Sequence, residues 1–353
     1  MFSCYIFVVV SLINFLPDFH VSSCDQNCAD KPRFTPSRLV VQFGKPTSAL
    51  CSVCQPGCNV SLFNIESPIG SLTENGTEVT WTVDEMTEWI ISPMCYYHND
   101  TTDVQCCSDL PITVYKPPDN VSFSVHPDVP MSESQQYTLQ CEVQDVAPVK
   151  NLRVTFYRGQ TALVELKREK DEPTPVSEIF TWNITSTKED DGVQFWCEAK
   201  LELGAEGPQP PPVVESEKLT AAVHYKPQLE ASVPPDPIIL TEGNPLTLNC
   251  SSVGNPPPSY TWTPSSPSRT TSPSSGSVFF INSITHEDEG SYTCYVSNEK
   301  GSITVQFDVK VQADNLILIV GLVVAAVLLA VIVGVAVFIR KGTSTRRRED
   351  VPL

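Results

Sequence analysis

The sequence predicts an all-β chain of three β-sandwiches in tandem, followed by one transmembrane α-helix and a short basic tail. Three observations carry that reading. The 31 prolines and the short alternating apolar runs favour strands and turns over helices. Tyr115-Lys116-Pro117 and Tyr225-Lys226-Pro227 recur about 110 residues apart, each after such a run (Ile112-Thr113-Val114 and Ala222-Val223-His224). A proline there stops the terminal strand, as suits a boundary between sandwich-sized units. Finally, Leu316 to Ile339 carries no charge; at ~1.5 Å per helical residue it is long enough to cross a bilayer.

The two ends set the expected topology. Tyr5 to Leu16 is apolar but too short to span a membrane, and Val21-Ser22-Ser23 offers small residues for cleavage. Residues 1–23 therefore read as a signal peptide, with the mature chain starting at Cys24. Arg340, Lys341 and Arg346-Arg347-Arg348 follow the long apolar segment, which places 340–353 in the cytoplasm and the N-terminus outside. A basic end also argues against a lipid-anchor signal, which would finish apolar. The expectation is a single-pass type I protein of the plasma membrane, with 312–315 as a stalk.

Charge and cysteines agree with an extracellular body. The net charge is −18, and the basic cluster after residue 339 leaves the remainder more acidic still. Nucleic acid, which needs basic patches, is excluded as a partner. Cys4 aside, the cysteines are even in number, which in an oxidising compartment implies disulfides rather than zinc. Asn59, Asn75, Asn99, Asn120, Asn183 and Asn249 each head a glycosylation triplet.

The third unit, 227–311, is the plainest. Cys250, Trp262 and Asp288-x-Gly290-x-Tyr292-x-Cys294 are the marks of an immunoglobulin sandwich. In that fold two cysteines bridge the sheets, a tryptophan packs on the bridge, and a tyrosine two residues before the second cysteine ties a corner. His286-Glu287-Asp288-Glu289 reads as a polar turn before the next strand. The second unit, 117–226, is a variant in which Cys141 pairs with Cys197, Val154 stands for the tryptophan and Phe195 for the corner tyrosine. The first unit, 24–116, holds Cys24, Cys28, Cys51, Cys54, Cys58, Cys95, Cys106 and Cys107. Cys54–Cys95 is the expected inter-sheet bridge, with Cys58 joined to Cys106 or, alternatively, Cys107. Glu66 is expected where such domains bury the tryptophan.

Cys54-x3-Cys58, Ile65-Glu66-Ser67-Pro68, Pro93-Met94-Cys95-Tyr96 and the Val-Tyr-x-Pro exit resemble the first domain of the intercellular adhesion molecules. Leu139-Gln140-Cys141-Glu142-Val143, Ala147-Pro148 and Tyr157-Arg158-Gly159 resemble the second domain of that family and of the related vascular cell adhesion molecule. The resemblance implies an adhesion ligand in which an acidic residue completes the Mg²⁺ site of a leukocyte integrin. Glu66 matches that position, and Met94 and Tyr96 fall on the contacting face. The acid is Glu, as in members that bind β2 integrins, within flanks like those of the vascular member. The metal belongs to the partner, so no cofactor is implied for this chain.

Other function classes fare worse. No Gly-x-Ser-x-Gly, His-Glu-x-x-His or phosphate-cradling glycine loop is present, so an enzyme is not expected. The alternative is an immune recognition receptor acting through another partner, since residues 340–353 lack tyrosine and the apolar segment lacks a charge to recruit an adaptor. Gly321-x3-Ala325 and Ala326-x3-Ala330-x3-Gly334 provide small-residue spacings suited to a homodimer of transmembrane helices. The basic tail suits anionic lipid or a cytoskeletal linker.

Overall fold

The computed structural model describes residues 24–53, 60–100, 103–128, 130–231, 237–264, 276–313 and 316–346. The expected signal peptide, Cys54, Cys58 and Asn59 lie outside the described residues. The chain divides into two compact units, Met1–Ala222 and Val223–Leu353.

The first unit opens with β1 (Arg33–Thr35), β2 (Leu39–Gln42), β3 (Thr47–Ser52), β4 (Val60–Glu66) and β5 (Ser71–Asn75). It continues with β6 (Glu78–Val83), β7 (Met94–Asn99), β8 (Val104–Asp109) and β9 (Ile112–Tyr115). One sheet runs β1-β3-β6-β5 and the facing one β4-β7-β8, while β2 pairs in parallel with β9. Alternation dictates the core: Ala49, Cys51 and Val53 point inward from one side, and Ile65, Cys95 and Tyr97 from the other.

That alternation corrects the expected disulfides. Cys51, not Cys54, meets Cys95 across the sheets, with Cα atoms 6.5 Å apart. Cys51 is fully buried on β3, and its side chain faces the core with that of Ala49, two residues before it. Cys106 pairs with Cys28 rather than Cys58, and Cys107 pairs with Cys24. The reason is an N-terminal strap lying alongside β8: Asp25 N–H donates to the Gln105 carbonyl, and Cys107 N–H to the Asp25 carbonyl. The Tyr97 hydroxyl donates to the Asp30 carbonyl at 2.8 Å and fastens the strap again. Burial, then the nearby Asp30 carboxylate, raise the pKa of that hydroxyl above its ordinary value.

Further along the unit come β10 (Asn120–His126), β11 (Met131–Ser132), β12 (Gln136–Val146), β13 (Leu152–Arg158) and β14 (Thr161–Lys167). After them come β15 (Val176–Thr185), β16 (Gln194–Leu201), β17 (Val213–Glu215) and β18 (Leu219–Thr220). β10-β12-β15 form one sheet and β14-β13-β16-β17 another, joined by Cys141–Cys197. Phe156, opposite Cys197 and fully buried, holds the place that the spacing assigned to Val154. The one-turn 3-10 helix Lys188–Asp190 precedes β16; there Asp190, 1% exposed, caps the turn and pairs with Arg158.

The second unit carries β19 (Val223–Leu229), β20 (Ile238–Thr241), β21 (Leu246–Asn249), β22 (Ser252–Asn255) and β23 (Ser259–Pro264). They are followed by β24 (Val278–Ile281), β25 (Gly290–Asn298) and β26 (Gly301–Gln312). β20-β26-β25-β23 face β21-β24 across Cys250–Cys294. Trp262 lies opposite Cys294 and packs against Phe279 and Phe307. The Tyr292 hydroxyl donates to the Asp288 carbonyl at 2.8 Å, closing the corner that Phe195 in the first unit cannot tie. His286–Asp288 is a capped 3-10 turn, in which the Asp288 carboxylate accepts from the Thr285 N–H and hydroxyl. Tyr292→Phe should cost about 1 kcal/mol in chemical denaturation, the usual net worth of one buried hydrogen bond.

β26 runs through Gln312, into the expected stalk, and α1 (Leu316–Arg346) follows. Ile319–Arg340 is apolar and long enough to cross a membrane.

Candidate functional site

The candidate site lies on the outer face of β4-β7-β8. Residues directly opposite in an antiparallel pair share a face. Ile65 lies opposite Cys95 and is 4% exposed, so Ile65, not Glu66, takes the place of the buried tryptophan. One residue on, the pleat turns Glu66 outward. It lies opposite Met94, which in turn lies opposite Asp109. The adjacent row is Asn64, Tyr96 and Cys107. Glu66, Met94 and Tyr96 are thereby brought onto one face, the two latter half-buried and Glu66 exposed.

Glu66 is the last residue of β4, and β4 is the edge of its sheet among the described residues. Among those residues its carboxylate makes no hydrogen bond or ion pair. Asp109, at the other end of the row, differs: it accepts from the Gln26 amide at 2.8 Å and is drawn toward the strap.

The turn after Glu66 is held from within. The Ser67 hydroxyl donates to the Ile69 carbonyl at 2.9 Å, and so does the indole N–H of Trp81, also at 2.9 Å. Trp81 is fully buried on β6, in the opposite sheet, so that sheet and the turn's own Ser67 grip the same carbonyl. Gly70 follows with φ +98°; a Cβ there would sit 2.6 Å from Trp81 Nε1 and 2.7 Å from the Thr82 carbonyl oxygen. The carboxylate thus projects from a strand end whose following turn has little freedom. Trp81, Gly70, Gln26 and the strap escaped the sequence reading. Only Gly70, two residues after Pro68, carried a turn signal that could have revealed it.

Among the described residues no group of three or more His, Cys, Asp or Glu could hold a metal. What the face offers chemically is one free oxygen donor set beside a thioether and a phenol ring. Of the glycosylation triplets, Asn75, Asn120, Asn183 and Asn249 are exposed and Asn99 is half-buried.

Residues 226–313 match the immunoglobulin domain family. Human vascular cell adhesion protein 1 is 24% identical over 292 residues, covering 78% of this chain and 37% of that protein. Human intercellular adhesion molecule 1 is 28% identical over 178 residues, covering 49% of this chain and 31% of that protein. The chain thus spans about a third of the length of these relatives. The ectodomain structure of mouse nectin-like molecule 4 has a TM-score of 0.50 at 19% identity, covering 78% of this chain and 97% of that one, a likeness of fold. Residues 226–313 thus form an immunoglobulin domain, and the chain as a whole is similar in sequence to the vascular and intercellular adhesion proteins.

Proposed function

We propose that the chain is a cell-surface adhesion ligand whose Glu66 carboxylate completes the Mg²⁺ site of a leukocyte integrin, a β2 type being favoured. In this reading three tandem sandwiches, 24–116, 117–226 and 227–311, hold Glu66 outside the plasma membrane, and α1 anchors the chain as a single-pass type I protein. The observation that carries it is Glu66 itself: exposed, without a partner among the described residues, and set at the end of a sheet-edge strand beside a clasped turn. A hard divalent cation prefers oxygen donors, and a carboxylate with no internal partner gives up no protein contact on ligating one. The clasp lowers the ordering cost of binding. Met94 and Tyr96 supply apolar contact on the same face, and the names of the relatives point to adhesion.

One carboxylate–metal contact on a modest patch gives weak affinity, and many copies on a membrane supply avidity. The test is adhesion of integrin-bearing leukocytes to the immobilised chain in Mg²⁺. Chelation and Glu66→Ala should each reduce adhesion to background; undiminished adhesion by Glu66→Ala would remove Glu66 from the site.

A further inference from the structure

The outer face of the β14-β13-β16-β17 sheet is banded by charge. Val154, Phe156, Cys197, Ala199 and Leu201 point inward and are fully buried, so their neighbours in sequence point outward. The register then aligns Lys167, Arg153 and Lys200 in one row across the strands. Two residues along, it aligns Glu165, Thr155, Glu198 and Glu215 in the next. The rows lie about 7 Å apart, twice the rise of a strand residue.

Within one copy this arrangement is unfavourable. Glu198 lies directly opposite Glu215, and like charges so placed destabilise a strand pair. Among the described residues Glu165 and Glu198 have no ion-pair partner. Arg153 and Lys200 share one carboxylate, that of Glu202, at 3.4 and 3.2 Å. Lys167 pairs with the exposed Glu169 at 2.5 Å. Such exposed pairs are weak and exchange readily. The phenol of Tyr157, beside the acidic row, is held above its ordinary pKa by burial and then by Glu198, Glu215 and Glu165.

A second observation concerns sugar. Asn120 and Asn183 both stand on the outer face of the opposite sheet, β10-β12-β15, in rows with Gln144 and Thr138. No glycosylation triplet falls in β13, β14, β16 or β17. Glycans carried at these two triplets would crowd one face and leave the banded face bare.

We infer that the banded face pairs with the same face of a second copy of this chain. An isologous contact brings one patch onto itself by a two-fold axis. An axis lying along the rows, midway between them, reverses the strand direction and sets each cationic row over the partner's acidic row. Lys200 then meets the partner's Glu198, and Lys167 the partner's Glu165. Each contact occurs twice, and Glu165 and Glu198 gain the counter-charges they lack within one copy, where Glu215 has Lys218. The inference is independent of Glu66, which stands on another sheet.

The test uses the full-length chain on cells, with donor and acceptor fluorophores on separate copies. Wild type should show energy transfer that rises with surface density. Glu198→Lys alone and Lys200→Glu alone put like charges across the axis at symmetric positions, and each should weaken self-association about tenfold or more. Mixing the two variants sets two lysines of one copy against two glutamates of the other and should restore transfer. That recovery also shows both variants to be folded. Absence of transfer in wild type, full transfer in either single variant, or no recovery in the mixture would each overturn the inference.

Discussion

Glu66→Gln should reduce Mg²⁺-dependent leukocyte adhesion to background, and Glu66→Asp should leave a measurable fraction of it. Glutamine keeps the size and reach of the side chain but replaces the anionic donor with a neutral amide. Mg²⁺ parts with its water reluctantly and is held through carboxylates, so the lost charge falls on the step that binding depends on. Aspartate keeps the charge and shortens the reach by one methylene, which the clasped turn cannot make up by moving. Because Glu66 is exposed and its carboxylate makes no hydrogen bond or ion pair among the described residues, neither change should move the melting temperature. The pair therefore separates ligation from folding. Equal adhesion by the Gln variant and wild type in a plate assay would show that charge at this position is not what the partner reads.

Much of this arrangement is written in period-two alternation. In Phe63-Asn64-Ile65-Glu66 the apolar residues face one way and the polar ones the other, so Glu66 points outward and Ile65 inward. The tryptophan analogy put Glu66 one residue out of phase, and a shift of one residue changes the face of the sheet. The same arithmetic turns Cys51 toward Cys95: Ala49, Cys51 and Val53 form one inward set. Within 227–311 the tryptophan, the corner tyrosine and both bridging cysteines lie close in sequence to residues that mark them, and all were legible. Phe156 was not, because β12 (Gln136–Val146) and β13 (Leu152–Arg158) are joined through a 3-10 turn at Val149–Asn151 that changes the spacing from cysteine to core aromatic.

What alternation does not encode is pairing between distant segments. The strap bonds reach across 78 and 83 residues, and eight cysteines allow 105 pairings. The vicinal Cys106 and Cys107 held a partial hint. Adjacent strand residues point to opposite faces, so one segment can bond both only by running along the strand edge, as residues 24–28 do. The grip of Trp81 on the Ile69 carbonyl joins opposite sheets, and no local pattern announces it.

That grip supports the second large effect, Gly70→Ala, for which Gly76→Ala is the control. Both glycines have positive φ, +98° and +65°, and an alanine at either position carries the backbone cost of that region, about 1 kcal/mol or somewhat more. The surroundings then separate them. A Cβ at Gly76 meets nothing within 4 Å, whereas one at Gly70 meets Trp81 Nε1 at 2.6 Å and the Thr82 carbonyl oxygen at 2.7 Å. The first of these is a fully buried ring and the second is backbone in β6, so neither can step aside cheaply. Overpacking of this kind adds about 1–3 kcal/mol. Gly70→Ala should therefore destabilise the chain by roughly 2–4 kcal/mol in chemical denaturation, against about 1 kcal/mol for Gly76→Ala. Relief of the clash by expelling the indole would also remove its hydrogen bond to the Ile69 carbonyl, leaving only that of Ser67, and loosen the turn behind Glu66. Adhesion should then fall with Gly70→Ala at temperatures where the variant is still folded, while Gly76→Ala adheres as wild type does. Equal stability of the two variants would show that the Trp81 clasp does not constrain the turn.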